Sequence, residues 1–121
     1  GDPPEWAEAP ARQAAMARED WEQVKARTLA LEADLVAAMA RGVEPGSQEA
    51  NALAERHRAD LGQWFTVTYP KQVLIARGYT ADPRFAAHYD RQAPGLAAWL
   101  QQVVNANAIA HGVDVEHATW C

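Results

Sequence analysis

The stretch AREDWEQVKARTLALEADLVAAMAR, residues 17–41, settles the fold class. Trp21, Val24, Thr28, Leu31, Leu35 and Met39 recur at spacings of three and four, with Ala38 beside the last. At 3.6 residues per turn these positions form one apolar stripe along a helix of three-turn length or more. Gly42 supplies the stop, because glycine adopts at little cost the left-handed conformation that closes helices. Val43-Glu44-Pro45-Gly46 then reads as a turn.

The same grammar continues toward the C-terminus. Ser47 is placed to cap a helix over Gln48–Phe65, whose stripe is Ala50, Leu53, His57, Leu61 and Trp64. The Tyr69-Pro70 pair marks a boundary, since a residue before proline avoids the α region. Pro70 opens a short helix to Arg77, and Gly78 is expected to end it. Asp82-Pro83 repeats the start signal for a short helix carrying Phe85 and Tyr89. Pro94-Gly95 precedes a helix to Ala110 with the stripe Leu96, Trp99, Leu100, Val103, Asn107 and Ala110, and Gly112 stops it. Toward the N-terminus, Pro3, Pro4 and Pro10 interrupt the segment around Trp6. That segment predicts a weakly held helix or arm. The expected organisation is a flexible arm or lid over residues 1–16, a ligand-binding domain over 17–112 and a tail over 113–121. Alternating apolar runs are absent, so the fold is expected to be all-α.

Composition narrows the function. A chain of 121 residues fits one domain, and no apolar run approaches the roughly 18 residues of a membrane span. Gly1-Asp2-Pro3-Pro4 has neither the basic start nor the apolar stretch of a signal peptide. A net charge of −5 argues against direct contact with phosphate backbones. The single Cys121 excludes an intrachain disulfide and a thiolate zinc site, which suits a reducing cytoplasm. His57, His88, His111 and His117 lack metal-ligand spacing with one another, and no glycine-rich phosphate loop occurs. No nucleophile stands beside a base, so no enzyme activity, metal or cofactor is expected.

The rings are the informative feature. Trp21, Trp64, Phe65, Tyr69, Tyr79, Phe85, Tyr89 and Trp99 come from several segments, and five tryptophans is generous for so small a core. They serve either as packing or as the wall of a pocket in which flat ligands stack. His57, between Leu53 and Leu61 on an apolar stripe, is a buried histidine bonded to a neighbour or a polar anchor in that pocket. Asn107 is likewise tied to backbone or offered to a ligand amide. The candidate ligand-binding set is Trp21, His57, Trp64, Phe65, Tyr69, Tyr79, Tyr89, Trp99 and Asn107.

Tyr79-Thr80-Ala81-Asp82-Pro83-Arg84-Phe85, then Tyr89-Asp90, Pro94-Gly95-Leu96-Ala97 and Asn105-Ala106-Asn107-Ala108 form a pattern that resembles the TipAS antibiotic-recognition domains. Ala54-Glu55-Arg56-His57-Arg58, followed by Trp64 and Phe65, is similar to that family's acidic–His–Arg segment. The resemblance implies a globin-like bundle of about five to seven helices without haem. It implies a binder of bulky, multicyclic, amide-rich antibiotics such as thiopeptides or albicidin. Such a domain is either the sensor of a MerR-type transcription activator, fused behind a DNA-binding domain and dimerised through other regions, or a stand-alone drug-sequestering protein. It also implies an N-terminal lid that folds over the drug, a role that suits the Trp6 segment. One departure stands out. Thiopeptide-binding members carry a capturing cysteine before the Tyr-x-x-Asp motif, whereas Tyr69–Gly78 has none. Arg84 and Asp90 are expected to pair, with Asp82 as a cap. Two other readings remain: a haem-type globin-like protein, for which His57 is the one candidate ligand on a strong stripe, and a helical interaction module.

Overall fold

A computed structural model describes residues 17–121; the 1–16 arm with Trp6 lies outside the described residues. Among the described residues all regular structure is helical: α1 (Arg18–Ala40), α2 (Gln48–Leu61), α3 (Tyr69–Ala81), α4 (Pro83–Asp90) and α5 (Leu96–Ala110), followed by a 3-10 turn, Val115–His117. None of these helices is long and apolar enough to cross a membrane.

Local chemistry accounts for most of the boundaries. Ser47 Oγ accepts from the Ala50 amide at 3.2 Å and Thr68 Oγ1 from the Lys71 amide at 3.3 Å, each satisfying an orphan donor of the helix it opens. Asp82 Oδ1 accepts from the Arg84 amide at 2.9 Å in the same way. At the other ends, Gly42 and Gly112 take positive φ values of 77° and 84°. The next residues, Val43 and Val113, donate back to the carbonyls of Ala38 and Ala108, each at 3.0 Å. This is the paired-carbonyl closure that a left-handed glycine permits.

Three sequence expectations need correction. α2 ends at Leu61 with Gly62 as its cap, so Trp64 and Phe65 sit in the following turn and not on the helix. α3 does not stop at Gly78 but runs through it to Ala81. The backbone there has no positive φ, and the interior bonds of a continuous helix outweigh one glycine's propensity penalty of about 1 kcal/mol. Arg84 pairs with Asp82 at 3.3 Å instead of with Asp90. Asp90 Oδ1 accepts from the Ala97 amide at 3.0 Å, capping α5 across the Pro94-Gly95 turn because Gly95, at its N-cap, has no side chain to do so.

α5 is the central element and contacts all four other helices. Leu96, Leu100, Val103, Val104 and Ala108 are fully buried on it, against Leu31, Leu35 and Ala38 of α1, Ala50 and Ala54 of α2, and Val73 and Ala76 of α3. Side-chain bonds fix the crossings. Thr28 of α1 donates to Asp60 of α2, and Arg56 of α2 donates to Asp34 of α1 at 2.7 Å. The Trp99 indole donates to the Val43 carbonyl at 3.1 Å, pinning the α1–α2 turn to α5.

Candidate functional site

α1, the end of α2, α3 and α4 do not close on one another completely. They leave an open, groove-like cavity of about 870 Å³. Its walls carry the rings of Trp21, Trp64, Tyr79, Phe85 and Tyr89, with Val24, Leu29 and Leu61 between them. Trp21 and Trp64 lie 5.2 Å apart at 36°, forming one end. Tyr79 stands 4.7 Å from Tyr89 and 6.0 Å from Phe85, forming the other. These are tilted ring pairs of the kind that contribute about 0.5–1.5 kcal/mol beyond buried area. The volume falls in the range of small-molecule sites.

Polar groups enter this apolar chamber at fixed points. Glu32, 8% exposed, reaches it from α1. Its Oε2 is bonded to His88 Nε2 at 2.8 Å, and its Oε1 accepts from Gln92 Nε2 at 3.3 Å. Asp60 accepts from Thr28 Oγ1 with both oxygens, at 3.0 and 3.1 Å, and from Gln63 Nε2 at 2.9 Å. Lys25 and Arg84 complete the charged rim.

His57 lies behind the chamber wall. It is 4% exposed, and burial pushes its pKa down to about 4, so the ring is neutral at neutral pH. Its tautomer follows from its partners. Gln72 Nε2 lies 2.9 Å from both the Ala54 carbonyl and His57 Nδ1. A carbonyl only accepts, so the amide nitrogen must face it, and its second proton goes to Nδ1. The imidazole proton is therefore on Nε2, donated to the Tyr79 hydroxyl at 2.9 Å. The Tyr79 proton is left to the neighbouring Tyr89 hydroxyl, and burial raises the pKa of both phenols. The chain Ala54–Gln72–His57–Tyr79 thus holds one wall ring in a single orientation.

The remaining sequence candidates are placed elsewhere. Phe65 lines an adjoining hollow with Trp120. Tyr69 lies under the Arg58 guanidinium, 4.2 Å from its ring centre, and stacks on His111 at 4.2 Å. Its hydroxyl donates to Glu55 Oε1 at 2.9 Å, while Asn107 Nδ2 donates to Glu55 Oε2 at 2.6 Å. Burial raises the Glu55 pKa, but bonds from Asn107, Tyr69 and Arg58 outweigh it and hold the carboxyl below its ordinary range. Tyr69, Trp99 and Asn107 are therefore ties between helices, away from the chamber. The candidate set left out Glu32 and His88, and also Phe85, which had been counted among the rings but not chosen as a contact. Glu32 follows Thr28 by four residues on the Trp21 edge of α1, so spacing carried the signal. His88 had none, because its partner is 56 residues away.

The family model of the TipAS antibiotic-recognition domain matches residues 1–107. The chain belongs to that family. As a TipAS-family domain it is 30% identical over 99 residues to the HTH-type transcriptional activator TipA of Streptomyces coelicolor, covering 81% of this chain and 39% of TipA. It is 30% identical over 104 residues to the HTH-type transcriptional regulator SkgA of Caulobacter vibrioides, covering 84% of this chain and 41% of SkgA. It thus spans about two-fifths of the length of these curated relatives. Among solved structures it is similar to Streptomyces lividans TipAS in complex with nosiheptide, a thiopeptide antibiotic. The TM-score is 0.80 at 27% identity, over 93% of this chain and 80% of that one.

Proposed function

We propose that this TipAS-family domain is a non-enzymatic receptor that encloses a multicyclic, amide-rich antibiotic in the ring-walled chamber. The observation that carries this reading is the chamber itself: five aromatic side chains from α1, α3, α4 and the α2–α3 turn leave about 870 Å³ between them instead of packing solid. Flat apolar rings of the guest stack on Trp21, Trp64, Phe85 and Tyr89, contributing about 25 cal/mol per Å² of buried area before ordering costs. Guest amide N–H groups find acceptors in Glu32 and Asp60 at the wall. His57 acts through Tyr79 as a positioning group. The nosiheptide complex of the TipAS neighbour supports this class of ligand, and Tyr69–Gly78 carries no cysteine for covalent capture from that segment.

On this reading residues 17–112 form the ligand-binding domain and 113–121 a tail, while the expected arm or lid over 1–16 lies outside the described residues. The regulator relatives favour a cytoplasmic sensor in a MerR-type activator, with DNA contacts and dimerisation supplied by other regions; stand-alone sequestration is the alternative deployment. A haem role is disfavoured, because both ring nitrogens of His57 are already engaged, with Gln72 and Tyr79.

Titration of intrinsic tryptophan fluorescence with nosiheptide and with uncharged multi-ring antibiotics tests the reading. Saturable quenching is expected, lost in Trp21→Ala and Trp64→Ala. A folded wild-type domain that responds to none of them refutes it.

A further inference from the structure

The seam between α1 and α2 lies open on one face of the bundle. Two hollows follow one another along it, of about 480 and about 280 Å³, and Arg56 lines both. Their walls come from α1, α2 and residues just beyond the ends of these helices. The pattern along the seam repeats every seven residues. Arg27, Asp34 and Arg41 follow one another at that interval on one edge, and Glu49, Arg56 and Gln63 on the other. The edges are tied rung by rung. Arg27 donates to Gln63 Oε1 at 2.8 Å, Arg56 donates to Asp34 Oδ2 at 2.7 Å, and Arg41 donates to Glu49. Exposed alanines stand between the rungs, Ala30 and Ala37 on α1 and Ala52 and Ala59 on α2, again seven apart. That interval keeps a set of positions on one face along a helix. Methyl side chains on that face let a further helix approach closely.

We propose that this face is an interface between two copies of the chain, related by a two-fold axis parallel to α1 and α2, so that α1 of each copy lies on α2 of the other. Charge order selects both the occupant and the axis. α1 and its cap carry Asp34 and Arg41 at the levels where α2 carries Arg56 and Glu49, so each edge is the charge complement of the other. The parallel two-fold sets these edges face to face at matching levels. Asp34 then meets Arg56 of the second copy, Arg41 meets its Glu49, and alanines meet alanines. Each of the two levels becomes a ring of four alternating charges, a network of the kind that contributes where isolated exposed pairs do not. A two-fold across the seam instead sets Asp34 against Asp34 and Arg56 against Arg56, which repel. From Arg27 to Arg41 the face is about 21 Å long and two helices wide. That extent suits a weak, reversible dimer. The inference does not rest on the chamber, which none of Asp34, Ala37, Ala52 and Arg56 lines.

Sedimentation equilibrium of the full chain tests this, under reducing conditions because Cys121 is exposed. Mean mass is expected to rise from monomer toward dimer between about 10 µM and about 1 mM chain. Raising salt to about 0.5 M should move the midpoint several-fold higher in concentration. Asp34→Lys and Arg56→Glu each place like charges in the ring, and each should leave the chain monomeric at the highest concentration. An equimolar mixture of these two variants restores opposite charges at both crossings and should dimerise. Ala37→Gln combined with Ala52→Gln lengthens two exposed side chains while keeping every charge, and should abolish association. Circular dichroism confirms that each variant keeps its helices. A wild-type chain that stays monomeric at about 1 mM in low salt overturns the proposal. So does wild-type-like association of Arg56→Glu or of the double glutamine variant, or a mixture that stays monomeric while wild type dimerises.

Discussion

Lowering the pH isolates the buried imidazole. Burial depresses the His57 pKa from 6.5 to about 4 in the folded chain, whereas the unfolded chain protonates near 6.5. Between these values the unfolded state binds a proton that the folded state refuses, so stability is complete above pH 6.5 and falls as pH drops toward 4. At 1.36 kcal/mol per pH unit, this one group removes about 3 kcal/mol across the window, a large share of a small domain's typical 5–15 kcal/mol. Gln at position 57 keeps an N–H donor toward Tyr79 and does not titrate. Guanidinium unfolding of wild type and His57→Gln between pH 7 and pH 4.5 therefore separates His57 from the carboxylates common to both chains. The wild type is expected to lose about 2–3 kcal/mol more than the variant over that range. A stability difference that stays constant with pH, or an NMR titration of His57 near 6.5, refutes the buried neutral ring and the tautomer built on it.

Other substitutions have separate expected outcomes. Tyr79→Phe leaves the His57 Nε2 proton without its acceptor and should cost about 1–3 kcal/mol in thermal or chemical unfolding. Asp90→Ala removes the cap of α5 and should cost about 1 kcal/mol, whereas Arg84→Ala, at an exposed pair, should change stability by less than about 0.5 kcal/mol. Leu100→Ala opens a cavity at the centre of the bundle and should cost about 2–5 kcal/mol by guanidinium unfolding. Gly78→Ala should add up to about 1 kcal/mol, read by the same assay, because α3 passes through that position in helical geometry.

The helices were legible because their causes are local. The stripe from Trp21 to Met39, the Ser47 and Asp82 caps and the glycines at 42 and 112 act within one or two turns of chain, so spacing and residue type suffice. Gly78 misled for the same reason: its intrinsic cost is small, and packing of α3 against α5 outweighs it. Among the rings, sequence supplied the inventory but not the sorting. Trp21, Trp64, Tyr79 and Tyr89 share a chamber, while Trp99 and Tyr69, chemically alike, are spent on Val43 and Glu55. Helical periodicity says which side of a helix a ring occupies; the packing of α1 on α2 and of α3 and α4 on α5 decides which sides meet.

By itself, then, the sequence determined an all-helical acidic domain with its caps, its stripes and its family. Only the tertiary structure decided that Glu32 faces His88 across 56 residues, that His57 orients Tyr79 from behind the wall, and that Trp120 lines a second hollow with Phe65. Those pairings depend on how whole helices are placed in space, and that placement is set by the summed burial of the Leu96–Ala108 face, not by any residue's immediate neighbours in the chain.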